Sequence, residues 1–147
     1  MLGQFFNKKP LTKKEEERII SAIAKAESLT SGEIRVHFDS KKVNDPVKKA
    51  EEVFNSIGMT ATKEQNGILF YINIRDKAFA IVGDKGIHDK VTQDFWNAIS
   101  NTVISKIKQG ELVVGLEESI ILCGEKLKKY FPIQSDDKNE LPNSISY

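Results

Sequence analysis

Between Thr12 and Leu29, apolar residues recur every three to four positions, and Ile19, Ile20, Ile23, Ala24, Ala26 and Leu29 mark the buried face of an amphipathic helix. Thr12-Lys13-Lys14-Glu15 has capping-box spacing, in which the outer two side chains each serve the other's backbone N–H, and Ser31-Gly32 ends the run. The period then changes to two. Ile34, Val36 and Phe38 alternate with Glu33, Arg35 and His37, predicting a half-covered strand over 33–39. Asp45-Pro46 reads as N-cap and first residue of a second helix, whose stripe of Val47, Ala50, Val53, Phe54 and Ile57 runs up to Gly58.

From Gly67 to Ile74 both faces are largely apolar, which marks a central strand. Arg75-Asp76-Lys77 suits a hairpin turn, and a third strand follows over 78–82. After Gly83-Asp84-Lys85-Gly86, the positions Val91, Phe95, Ala98, Ile99, Val103 and Ile107 predict a long helix that begins near Asp89 and ends before Gly110. A last helix starts about Glu111, carries Leu112, Leu116, Ile120, Cys123 and Leu127, and is stopped by Pro132. The order is α-β-α-β-β-α-α. A right-handed crossover makes strands one and two parallel, and the hairpin makes strand three antiparallel to strand two, so the sheet is small and mixed.

This topology has a geometric consequence. The start of strand one, the start of strand two and the end of strand three share one edge, so Glu64, Gln65, Asn66, Asp84, His88 and Asp89 crowd there with Glu33. The chain divides into an N-terminal arm (residues 1–10), one domain (11–132) and an acidic polar tail (133–147). The tail has too little apolar surface to fold alone, although Leu141, Pro142, Ile145 and Tyr147 are able to dock it.

Composition narrows the functions. With 22 basic and 21 acidic residues there is no global field to attract nucleic acid. No apolar run approaches the roughly 20 residues of a membrane span, the first residues lack an apolar signal core, and the lone Cys123 excludes an internal disulfide; a cytoplasmic location is expected. Cys123 lies in an apolar run and reads as a buried thiol.

Several segments resemble the TPM domain family, which includes thylakoid acid phosphatase, photosystem II repair proteins and many bacterial proteins. Ser31-Gly32-Glu33-Ile34 is similar to the family's first strand, Gln65-Asn66-Gly67-Ile68-Leu69-Phe70 to its Asn-Asn-Gly-apolar entry, and Val82-Gly83-Asp84-Lys85-Gly86-Ile87 to its Val-Gly-x-Gly segment, here one residue longer. Leu11-Thr12 resembles its opening, and Lys108-Gln109-Gly110-Glu111 through Gly115-Leu116 its late glycine element. The resemblance implies a three-layer α/β/α sandwich of Rossmann-like type and a divalent cation, often calcium, at an acidic cleft.

Calcium takes about six to eight oxygen ligands, whereas zinc prefers Cys and His, so this chain suits an oxygen-only site, with calcium ahead of magnesium. Asp84 and Asp89 lead the candidate ligands, Glu33 approaches from the neighbouring strand, and Asp94 lies one helical turn beyond Asp89. Asn66, Gly83, Lys85 and His88 are supporting candidates. Each has a plainer reading: Asp89 as a helix cap, Asp84 as a turn residue, Glu33 as a strand charge, Asp94 and His88 as surface groups. Two functions compete, with a protein-binding scaffold that holds no ion as a third. One is a cation-binding interaction or regulatory module with a protein partner; the alternative is a metal-assisted acid phosphatase hydrolysing phosphate monoesters. No Asp-x-Asp, Cys-x(5)-Arg or Gly-x-Ser-x-Gly motif supplies a nucleophile for the second.

Overall fold

The computed structural model describes residues 10–133 and 145–147. Helix α1 (Lys13–Glu27) opens with the expected capping box: Glu15 N donates to Thr12 Oγ1 at 3.1 Å and Thr12 N to Glu15 Oε1 at 2.9 Å. Strand β1 (Glu33–Asp39) leads into α2 (Pro46–Ser56), which Asp45 caps by accepting from Lys48 N. Strand β2 (Gly67–Asn73) is buried along its whole length, as its two apolar faces predict. The turn to β3 (Ala78–Gly83) solves the lack of glycine by placing Lys77 at φ +51°, while Asn73 Oδ1 accepts from Asp76 N.

The order of the sheet is β3-β2-β1, with β1 and β2 parallel and β2 and β3 antiparallel. Ile34, Val36, Phe38, Ile68, Phe70 and Ile72 face a large core beneath α1 and two later helices, α4 (Gln93–Lys108) and α5 (Leu112–Leu127). Leu69, Tyr71 and Ala80 face a smaller core with Ala50, Val53, Phe54 and Met59 under α2. The result is a three-layer α/β/α sandwich. In the outer layer α1 and α5 touch at backbone distance, because a Cβ on Gly124 would lie 2.8 Å from Ala26.

Three expectations need correction. A four-residue helix, α3 (Lys85–His88), stands where the long helix was expected to begin, so α4 starts at Gln93 with Thr92 as N-cap. The apolar period of residues 91–107 is continuous through this break, because Val91 packs on the core from the connection itself. Strand β1 is also not half-covered: Glu33, Arg35 and His37 are buried with the apolar residues. Finally, α5 ends at Leu127, ahead of Pro132, which instead bridges to Thr30.

The remaining cover for β1 comes from the end of the chain. Ile145–Ser146 forms a short strand, β4, parallel to β1 on the side away from β2, with Val36 opposite Ile145 and His37 opposite Ser146. Residues 1–9 and 134–144, which hold most of the expected arm and tail, lie outside the described residues.

Candidate functional site

The register brings the expected edge together at the level of the backbone. Glu33 pairs with Gly67, and Ile68 with Gly83. Glu33 N donates to Asn66 O at 3.2 Å, Asp84 N to Gly67 O at 2.9 Å, and Gly86 N to Gln65 O at 2.9 Å. The two loops are pressed so closely that a Cβ on Gly86 would stand 2.3 Å from Glu64 O. Only glycine permits that approach. Gly83 is equally confined, by the ring of Trp96.

On this backbone sits a small polar network. Ser31 Oγ donates to Glu64 Oε2 at 2.9 Å, and Asn66 Nδ2 reaches Ser31 Oγ at 3.3 Å and Glu64 Oε2 at 3.4 Å. Asn66 is only 1% exposed, and its Oδ1 has no hydrogen-bond partner among the described residues. Asp84 caps α3 by accepting from Lys85 N at 2.7 Å, yet its Oδ2 is buried with no partner either. A buried acceptor without a donor costs about 1–3 kcal/mol, more when charged, so two on adjoining loops call for an ordered water, a donor or a cation.

The other expected ligands lie differently. Glu33 is 3% exposed, and its carboxyl group interacts with Glu27, whose Oε2 accepts from Ile34 N at 2.8 Å. Burial pushes the Glu27 carboxyl up to about 8, against the pull of the Ile34 N–H, and Glu33 raises it further. One proton held by two crowded carboxyl groups removes the need for a cation there. Asp89 is exposed at the C-cap of α3, and Asp94 is exposed in the first turn of α4, where it suits the positive dipole end. Lys85 and His88 are exposed, with the His88 ring 5.2 Å from that of Trp96.

The expected convergence of Glu33, Asp84 and Asp89 therefore does not form. Among the described residues no three His, Cys, Asp or Glu side chains are grouped to hold a metal ion. Helix α3 carries Asp89 away, and Glu27 engages Glu33. What the edge gathers instead is Asp84, Asn66, Glu64 and Ser31. Sequence reasoning placed Glu64 at this edge without a role and missed Ser31 and Glu27; the run Glu64-Gln65-Asn66 was the available signal.

A second polar cluster closes the opposite end of β1 and β2. Tyr71 donates to Asp39 Oδ2 at 2.7 Å, and Asn73 Nδ2 donates to Lys41 O at 2.7 Å and to Tyr71 Oη at 3.3 Å. Burial, reinforced by Asp39, pushes the Tyr71 hydroxyl up to about 12. Its side chains satisfy one another, so it reads as a structural clasp.

A three-layer α/β/α domain whose glycine loops press two strand ends together is the class of protein defined here. The chain belongs to the TPM domain family, whose model matches residues 6–125. It is similar to the BA42 protein of the psychrophilic bacterium Bizionia argentinensis, known from an NMR structure, at 46% identity and a TM-score of 0.90 over 95% of this chain and 97% of that one. The N-terminal domain of a Corynebacterium glutamicum protein shares the fold at 14% identity and a TM-score of 0.64, covering 94% of this chain and 81% of that one. So does the N-terminal domain of a P. gingivalis protein, at 15% identity and a TM-score of 0.67, over 82% and 78% of the two chains. No curated protein matches the chain. No helix among the described residues is long and apolar enough to cross a membrane.

Proposed function

We propose that this TPM domain binds a divalent cation, calcium in preference to magnesium, at the edge between the start of β2 and the end of β3. The proposal further makes it an interaction or regulatory module for a protein partner in the cytoplasm. The observation that carries the reading is the pair of buried, partnerless oxygens, Asn66 Oδ1 and Asp84 Oδ2, on loops held together by Gly86. Glu64 is the second carboxylate beside them, bonded to the Asn66 amide. Calcium accepts such a mixture of carboxylate, amide and water oxygens in irregular geometry, whereas magnesium demands a near-ideal octahedron.

In this reading Asp84 and Asn66 are ligands and Gly83 and Gly86 permit the approach of the two loops. Exposed Asp89 and Asp94 add attraction from solvent; Lys85 opposes it. Glu33 contributes its backbone and not its carboxyl group. A cation held here would tie the β3–α3 loop to the entry of β2, and that coupling is the regulatory element. The module reading is preferred to the phosphatase because the sequence offers no arginine cluster beside this edge, only Lys85 and His88 as phosphate contact and proton donor.

Titration with calcium and with magnesium, followed by backbone NMR, tests the proposal. Saturable shifts at Asn66, Gly67 and residues 83–86 are expected with calcium at lower concentration than magnesium, and are expected to vanish in Asp84→Asn. No shift at those residues, or shifts unchanged in the variant, would sink it. Metal-dependent hydrolysis of a generic phosphate monoester, lost in Asp84→Asn, would instead favour the phosphatase.

A further inference from the structure

The Asn66 side chain turns its nitrogen toward Ser31 and Glu64, which leaves its oxygen as the atom that can take a ligand. An asparagine amide carries two N–H donors on one side and an acceptor on the other, so its hydrogen-bond partners decide which way it lies. Here Nδ2 reaches Ser31 Oγ at 3.3 Å and Glu64 Oε2 at 3.4 Å, while Ser31 Oγ donates to the same Glu64 oxygen at 2.9 Å. Turning the amide over would set Oδ1 against the Glu64 carboxylate, acceptor to acceptor. The flip is closed, and Oδ1 stays buried with no hydrogen-bond partner among the described residues.

Ser31 is itself held by the turn that follows α5. Phe131 O accepts from Ser31 N at 2.9 Å and from the Thr30 hydroxyl, and Thr30 bridges to Pro132. Both anchors are buried, Thr30 at 1% exposed and Phe131 at 3%. A Cβ on Gly32 would lie 2.9 Å from Leu127 Cδ1 and 3.5 Å from Asn66 O, so residues 30–32 are wedged between the end of α5 and the entry to β2. Ser31 thus has two attachments. Its hydroxyl holds the Asn66 amide, and its N–H holds the Phe131 carbonyl.

We infer that Ser31 is the positioning residue of the cation site and couples that site to the turn at Phe131. The inference rests on the cation reading above and adds how occupancy is passed on. A cation on Asn66 Oδ1 withdraws electron density from the amide and makes Nδ2 a stronger donor to Ser31 and Glu64, and hydrogen bonds in a chain strengthen together. Ser31 is drawn toward the amide, and its backbone carries that movement to the Phe131 carbonyl. The coupling is reciprocal, so a Ser31 that no longer holds the amide weakens the cation.

The test is a calcium titration of the isotope-labelled full chain, followed at Asn66 with residues 83–86, at the Ser31 amide and at the Phe131 carbonyl carbon. All three are expected to shift along one binding curve. Ser31→Ala is expected to bind calcium about fivefold more weakly and to lose the shift at Phe131 while keeping those at residues 83–86. Ser31→Thr, which keeps the hydroxyl, is expected to restore both. With no cation added, exchange of the Asn66 carboxamide protons is expected to be faster in Ser31→Ala than in the wild type. Shifts at Asn66 and residues 83–86 with none at Phe131, equal calcium affinity in Ser31→Ala, or unchanged carboxamide exchange would overturn the inference and leave the cation reading standing. Shifts at none of the three places would remove the cation reading, and this inference with it. Should Ser31→Ala fold poorly, the wild-type curve decides alone, because the Phe131 shift must track that of Asn66.

Discussion

Gly86→Ala is the most informative single substitution, because the closeness of the two loops depends on it. The added Cβ would lie 2.3 Å from Glu64 O, 2.6 Å from Gln65 O and 3.1 Å from the Gln65 carbonyl carbon. All three are backbone atoms, so no side chain can swing aside, and the loops must part by roughly 1 Å to reach ordinary contact. That movement breaks the 2.9 Å bond from Gly86 N to Gln65 O, at about 1 kcal/mol. Overpacking adds about 1–3 kcal/mol. Alanine's better helix propensity returns at most about 1 kcal/mol, and less in a single turn. The net loss is about 2–3 kcal/mol, a fall in Tm of roughly 6–12 °C for a chain of this size. Thermal unfolding followed by circular dichroism measures it. Gly58→Ala is the control, since Gly58 has φ +79° with open space around it and suffers only the backbone strain of about 1–2 kcal/mol. If Gly86→Ala melts no lower than Gly58→Ala, the loops are not in contact and the site described above does not exist.

Gly124→Ala is expected to cost about 1–2 kcal/mol, because its Cβ would meet Ala26 Cα, Cβ and O at 2.8 Å; Ala26→Gly in the same chain recovers part of the loss, measurable as a coupling energy in denaturant unfolding. Glu27 holds a proton in the folded chain up to about 8 against an ordinary 4.5, so its stabilisation is complete below 4.5 and is lost as pH rises toward 8. Linkage for such a shift is roughly 5 kcal/mol, and screening at a partly exposed group reduces it to about 2. Glu27→Gln, which keeps an acceptor for Ile34 N, is therefore expected to raise Tm at pH 9 and to flatten its fall between pH 5 and 8; an unchanged profile refutes the pairing. His37 has the opposite sign: burial, with Lys49 and Arg35, lowers its pKa against the pull of Asp39. Its stabilisation is present above the ordinary 6.5 and lost as pH falls below it, so imidazole NMR shifts are expected to titrate below 6.5.

The order of elements was legible because each carried local chemistry that tertiary contacts did not override. Thr12 and Glu15 form their reciprocal cap, Asp45 caps α2, and the period of two in β1 sends Ile34, Val36 and Phe38 into one core. The shared strand edge followed from the right-handed crossover and the hairpin turn together. Side-chain destinations were less legible. Asp84 and Asp89 both precede helical turns, and periodicity could not reveal a four-residue helix between them, since Ile87 and Val91 serve the same core as the helix that follows. The polar face of β1 looked solvated for a similar reason. Its cover comes from residues distant in sequence: Ile57 O bonds Arg35, and Ser146 bonds His37.

Glu27 has a position that sets the Glu33 carboxyl group apart from the proposed cation site. Strand β1 has an inner edge wholly paired to β2 and an outer edge that would otherwise be continuous from Glu33 to Asp39. By accepting from Ile34 N, Glu27 covers the outer edge one pleat before Val36 pairs with Ile145 of β4, and by interacting with Glu33 it keeps that carboxyl group from the oxygens of Asn66 and Asp84. Glu27→Ala tests that partition, because it removes the carboxyl group that engages Glu33. Calcium affinity is expected to rise in that variant, read from the amide shifts of Asn66 and residues 83–86, and no rise would show that Glu27 divides nothing.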